Sequence, residues 1–343
     1  MNISFRTLWR ALCLVACLAA LPAAWAGQIK YPSLVVFGDS LSDTGNDFKL
    51  TTDLGLPTAL PPSTSPHATY WQGRFTNGPV AVEYLWRLMS GKHNAAVVPS
   101  LADRAVRTQA AVSFAYGGSS SGTGQGVPLG FPVENLQSQV EQFKSALPGG
   151  KASKQALYVV WSGANDYLQG LSVDPDAVTN NVLKAITDLY DVGARDFLVP
   201  NLANLGGTPF VLGQGGPAAG AAATQLTKGH NALLKAKLAA LRSQRRDIRI
   251  VEVDVFKLGE TVVATGLVWA SVPAVDYLEP VAEGQIPTSM CLFVPPTSTT
   301  HLCPDVRQSG IMPPFMFWDA MHPTTQVHGV LGTAMFGALL LQR

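Results

Sequence analysis

Three stretches, far apart in the chain, carry the residue types of acyl-transfer chemistry. They are Ser40 in VVFGDSLSDTGND (35–47), Asn165 in SGAND (162–166), and Asp319 with His322 in FWDAMHPT (317–324). A serine hydroxyl attacks a carbonyl only if a base takes its proton, a third group orients that base, and donors wait for the oxyanion. Asp319 lies three residues before His322, so one short turn can aim both side chains the same way. The carboxylate would then fix the imidazole tautomer and stabilise the imidazolium. Ser40 follows the apolar run Leu34, Val35, Val36, Phe37 and a glycine, the pattern of a strand-to-helix turn whose backbone N–H groups can face developing negative charge. A fourth stretch, SFAYGGSSSGTG at 113–124, offers glycines that let a backbone N–H approach a substrate oxygen. The Asn165 amide offers another donor, or else holds its own turn, as Asp166 is expected to do.

These positions need a scaffold, and the hydropathy pattern supplies one. Apolar strand-type runs at 34–37, 156–161 (ALYVVW), 196–199 (DFLV) and 248–255 (IRIVEVDV) alternate with helical-period segments at 78–89, 134–147, 176–193 and 227–244. Such alternation predicts an α/β fold in one domain, a mostly parallel sheet covered on both faces, with ligand chemistry at the carboxyl ends of the strands. Ser40 and the SGAND segment fall at such ends, as does Pro200-Asn201-Leu202. Stretches at 51–72, 119–131 and 205–223, rich in Pro, Thr, Ser, Gly or Ala, are expected to be irregular and to overhang that edge. The apolar C-terminus, HGVLGTAMFGALLLQR, is expected to form a buried last helix.

The chain has 343 residues, 47% of them hydrophobic and 14% charged, which excludes disorder and allows a sizeable core. Its 24 Lys and Arg balance 23 Asp and Glu, so no field draws nucleic acid. No Lys follows the glycines at 117–126, which argues against a phosphate-binding loop. Residues 1–26 combine two arginines, a short apolar segment and the small-x-small pattern Ala24-Trp25-Ala26, which predicts a secretory signal peptide cleaved after Ala26 and a mature domain over 27–343. Two competing readings of this segment are a membrane span, too short and broken by Pro22, and a lipoprotein box ending at Cys17. Export would remove Arg6, Arg10, Cys13 and Cys17. That leaves Cys291 and Cys303 to pair in an oxidising compartment across CLFVPPTSTTHLC, a closure worth roughly 3 kcal/mol, or to stay as buried thiols.

The ordered blocks GDSL, GG, GxND and DxxHP, together with RFTNGPVAVEYL (74–85) and NLANLGGTP (201–209), resemble the GDSL, or SGNH, family of serine esterases and lipases, in its larger secreted branch. The resemblance runs over about residues 33–332 and implies a flavodoxin-like three-layer α/β/α sandwich that needs no cofactor and no metal. Carried over by position, it makes Ser40 the nucleophile, His322 the base, Asp319 its partner, and the Ser40 N–H, the Gly118 N–H and Asn165 the oxyanion donors. It implies a small-molecule or lipid ester as substrate, with transient contact to a lipid surface in the second case.

Asp39 is expected to hold the serine turn, although it competes with Asp319 for the acid role, and Asp43 is expected to cap the helix from Thr44 onward. His67, His93, His230, His301 and His328 belong to no paired motif and are expected to be surface or structural. Tyr70, Trp71, Tyr116, Trp161, Tyr167, Phe317 and Trp318 lie beside the blocks as core or as an acyl- or choline-binding wall. The function expected is acyl-enzyme ester hydrolysis. The alternatives are a phospholipase or lysophospholipase with acyltransferase activity, a choline-ester or polysaccharide O-acetyl esterase, and a non-catalytic lipid- or glycan-binding protein.

Overall fold

The structure, a computed structural model, describes residues 31–64, 70–102, 110–265 and 316–342. The expected signal segment, all four cysteines with the Cys291–Cys303 pairing, His67 and His301 lie outside these residues. Six parallel strands form the central sheet: β1 (Ser33–Gly38), β2 (Val98–Pro99), β3 (Ala111–Ser113), β6 (Ala156–Trp161), β7 (Asp196–Pro200) and β8 (Arg249–Val253). Their order is β2-β3-β1-β6-β7-β8, while β4 (Gln125–Gly126) and β5 (Val133–Glu134) make a small antiparallel ribbon. Without the two-residue edge strand β2, this is the flavodoxin-like order, in which the switch point falls between β1 and β6.

Every residue of β6 is buried, as expected of a strand covered on both faces. On one face Leu34, Val36, Leu157, Val159 and Trp161 pack against α2 (Ala81–Ser90) and α8 (Thr325–Leu341), with Val262 of α7 (Val255–Thr265). On the other, Phe37, Tyr158, Val160, Phe197 and Ile250 pack against α3 (Leu136–Ala146), α5 (Pro175–Asp191) and α6 (Pro209–Gln244). Each such side chain removed from water contributes about 1.5–3 kcal/mol. Of two shorter helices, α1 (Asn46–Asp53) follows the serine turn and α4 (Ala164–Leu168) begins inside the SGAND segment, with Gly163 as its N-cap.

The strand and helix segments expected from periodicity are present, and α8 is the buried last helix; no helix among the described residues is long and apolar enough to cross a membrane. The stretch 205–223 departs from expectation. It enters α6 at Pro209 behind a Thr208 cap and stays helical apart from a break at Gly215–Gly216 before Pro217. Its Gly/Ala/Pro composition concealed a helix. Segment 119–131 likewise contains β4 rather than being wholly irregular.

Candidate active site

The carboxyl end of β1 turns at Gly38, where an added Cβ would lie 2.2 Å from the Trp161 carbonyl oxygen of β6. Only glycine lets the two strand ends approach so closely. Gln139 of α3, fully buried, clamps this turn: its Oε1 accepts from the Gly38 N–H at 2.9 Å, and its Nε2 donates to the Gly38 carbonyl at 2.8 Å and the Ser119 hydroxyl at 2.9 Å. The next residues are Asp39 and Ser40. Asp39 Oδ1 accepts from the Leu41 N–H at 3.1 Å, as expected of a turn-former, and burial pushes its carboxyl up to about 6. Asp43 accepts from the Gly45 and Asn46 N–H groups, both at 2.7 Å, and so holds the entry to α1; the helix starts two residues later than expected, and its N-cap is Gly45 rather than Asp43. Burial pushes Asp43 up to about 6 as well.

The DxxH turn rises on the far side. The Asp319 carboxylate folds it: Oδ1 accepts from the Met321 N–H at 2.8 Å and the His322 N–H at 2.7 Å. The turn is braced by Trp318 N–H to the His322 carbonyl at 2.7 Å and by the Phe317–Pro323 bridge. Segment 70–81 cradles it from below. The Thr76 hydroxyl donates to the Pro323 carbonyl at 2.8 Å, Asn77 Oδ1 accepts from the Thr325 N–H at 2.8 Å, and the Phe75 ring lies 5.2 Å from the His322 ring. This gives the RFTNGP block a physical role.

The two turns meet. His322 Nε2 lies 2.8 Å from Ser40 Oγ, and His322 Nδ1 lies 2.6 Å from Asp319 Oδ2. The three side chains are buried, Ser40 at 8% and Asp319 at 1% exposure. Burial pushes the Asp319 carboxyl up, but the His322 charge and three donated hydrogen bonds outweigh it and hold the group below the ordinary carboxylate range. Asp39 makes no hydrogen bond to His322, so the carboxylate behind the imidazole is Asp319.

Gly118 adopts φ +75° and its carbonyl accepts from Gln169 Nε2 at 2.7 Å, while its N–H, in the preceding peptide, has no hydrogen-bond partner among the described residues. The Ser40 N–H is likewise unpartnered among the described residues, whereas the Gly117 N–H is taken by Asp43 Oδ2 at 3.3 Å. Asn165 donates one amide hydrogen to the Ser119 carbonyl at 3.0 Å, across to the glycine loop rather than within its own turn. Asp166 also reaches across, accepting from the Ser121 N–H and hydroxyl, both at 2.8 Å, while its own carbonyl accepts from the Leu171 N–H at 2.8 Å and the Ser172 N–H at 3.0 Å.

The aromatic candidates divide. Tyr116, Trp161 and Trp318 are exposed by 2% or less and are packed in the interior, as deep as Asp319. Tyr167 is partly exposed, with its hydroxyl 2.8 Å from His230 Nδ1. Trp71 and Phe317 are also buried. Two residues that sequence did not single out as functional emerge here: Gln139, and Tyr70 in a role other than a wall.

The family model described as GDSL-like lipase/acylhydrolase matches residues 34–335. The chain belongs to this family. The family match supports an ester-bond hydrolase, and this chain is similar along most of its length to curated relatives. A GDSL esterase/lipase of Arabidopsis thaliana is 24% identical over 89% of this chain and 81% of its own. The phosphatidylcholine-sterol acyltransferase of Aeromonas hydrophila is 28% identical over 93% of both chains. Among solved structures, a carbohydrate acetylesterase of Sinorhizobium meliloti matches with a TM-score of 0.41 at 12% identity, covering 91% of this chain and 99% of that one.

Proposed function

We propose that this GDSL enzyme is exported and cleaves carboxylic esters through an acyl-enzyme on Ser40. The observation that carries the reading is the continuous relay of Ser40 Oγ, His322 and Asp319 at 2.8 and 2.6 Å, beside two backbone N–H groups without partners among the described residues. His322 Nε2 takes the Ser40 proton as Oγ attacks the carbonyl. The Ser40 N–H, the Gly118 N–H and the second amide hydrogen of Asn165 receive the oxyanion, and the imidazolium returns the proton to the leaving alkoxide. Water activated by the same imidazole then releases the acid and restores Ser40.

Acyl transfer is the second reading, favoured by the similarity to the Aeromonas acyltransferase over 93% of both chains. An alcohol would then replace water in the second half-reaction. Hydrolysis of p-nitrophenyl acetate, butyrate and palmitate, with Ser40→Ala as background, tests the main reading. Activity that vanishes in the variant supports it, and the preferred chain length separates small esters from lipids. Equal rates in both proteins would remove Ser40 from the mechanism. Adding a sterol or primary alcohol and measuring new ester against free acid tests the second reading.

A further inference from the structure

Asp319 Oδ2 has a partner besides His322. The Tyr70 hydroxyl, 3% exposed, donates to it at 2.8 Å from a position 249 residues away in sequence. With the two backbone donors on Oδ1 and the His322 Nδ1 on Oδ2, this bond brings the carboxylate to the roughly four acceptor sites that its lone pairs provide. Tyr70 is itself anchored, its N–H donating to the Pro62 carbonyl at 2.8 Å. Its ring lies 6.3 Å from Phe75, which in turn faces His322. Ring and hydroxyl thus reach the same histidine by two routes, one through Phe75 and one through Asp319.

We propose that Tyr70 is a positioning residue of the reaction, which sets the orientation and electron density of the acid behind the base by donating to the same carboxylate oxygen that His322 uses. This rests on the reading of Ser40, His322 and Asp319 as a catalytic relay. A charge-assisted bond from a phenol withdraws density from Oδ2 and weakens its hold on the imidazolium, while fixing the carboxylate plane. The donor keeps its proton: burial first, and the Asp319 charge second, push Tyr70 well above the ordinary phenol range. Among the described residues, the other titratable groups that interact electrostatically with His322 are Asp39, from the turn after β1, and His328, on α8. Neither touches Tyr70, so a change confined to the phenol hydroxyl is read against a constant background.

The test is kcat and KM for p-nitrophenyl butyrate from about pH 5 to about pH 9 in wild type, Tyr70→Phe and Asp319→Ala. Tyr70→Phe is expected to keep KM, to lose roughly 3- to 30-fold in kcat, and to move the acidic limb of kcat/KM upward by roughly 0.5–1 unit, since a less neutralised carboxylate stabilises the imidazolium more. Asp319→Ala is expected to lose roughly 10⁴-fold. A crippled Asp319→Ala beside a Tyr70→Phe whose limb has not moved would overturn the role of Tyr70 alone; Asp319→Ala at the wild-type rate would overturn the relay reading itself. Should Tyr70→Phe not fold, a monofluorinated tyrosine at 70 keeps the ring and donates more strongly. The limb should then move downward, and an unmoved limb would overturn the proposal.

Discussion

The amide of Asn165 has one hydrogen on the Ser119 carbonyl at 3.0 Å and a second available to a substrate oxygen. Asn165→Ala should therefore cost two things of different size. Losing a donor that acts only on the transition-state oxyanion lowers kcat by roughly 10²- to 10³-fold. Losing one tie from a partly exposed side chain to a loop lowers stability by only about 1 kcal/mol. Steady-state kinetics beside urea unfolding separates the two, and near-normal turnover in a folded variant would remove Asn165 from the oxyanion site. The Asp319–His322 pair was legible in the sequence because its spacing is local, and Ser40 because a glycine turn follows an apolar strand; that Ser40 meets His322 across 282 residues was legible only through the resemblance to a known family. Tyr70 was visible only as an aromatic beside a motif, since its partner lies 249 residues away and no periodicity connects them.

At the scale of elements, the site is three turns held in register by buried side chains from elsewhere. Gln139 joins the β1 turn to the glycine loop, and Asp166 joins the SGAND turn to Ser121. Gln139→Leu keeps comparable bulk but leaves the Gly38 N–H and carbonyl and the Ser119 hydroxyl without that partner. Urea denaturation should show a loss of roughly 2–4 kcal/mol, with kcat falling in the protein that remains folded, because two turns lose a common anchor. Unchanged stability would mean that the clamp is dispensable. Such ties were illegible in the sequence: a glutamine in ENLQSQVEQF reads as a solvated helix position, and only the packing of α3 against β1 makes it a strut. The alternation of strands and helices gave the architecture because buried parallel strands need continuous apolar runs. The start of α6 was concealed because Gly, Ala and Pro read as breakers unless a Thr208 cap and tertiary contacts override them.

Over the whole molecule, two buried histidines and two of the buried carboxylates oppose one another as the pH falls. Burial lowers His230 to about 4 and His328 to about 3 from an ordinary 6.5, so below pH 6.5 the unfolded chain binds protons that the folded chain refuses. Stability is lost through that window. Asp39 and Asp43 are raised to about 6 from 3.8, so the folded chain binds protons first and gains stability as the pH falls from 6 to 3.8. His328→Asn keeps an acceptor for the Ala81 N–H and removes the titration. The difference in unfolding free energy between variant and wild type should shift in favour of the variant as the pH falls from 6.5 toward 4. A difference independent of pH would show that His328 titrates alike in both states.

The most direct test of the central claim is covalent: incubation of the folded enzyme with a phosphonylating inhibitor, followed by intact mass and peptide mapping. The relay at 2.8 and 2.6 Å predicts one adduct per chain, on the peptide containing Ser40, lost in Ser40→Ala and slowed in His322→Ala. An adduct on another residue, or activity that survives full modification of Ser40, would contradict it.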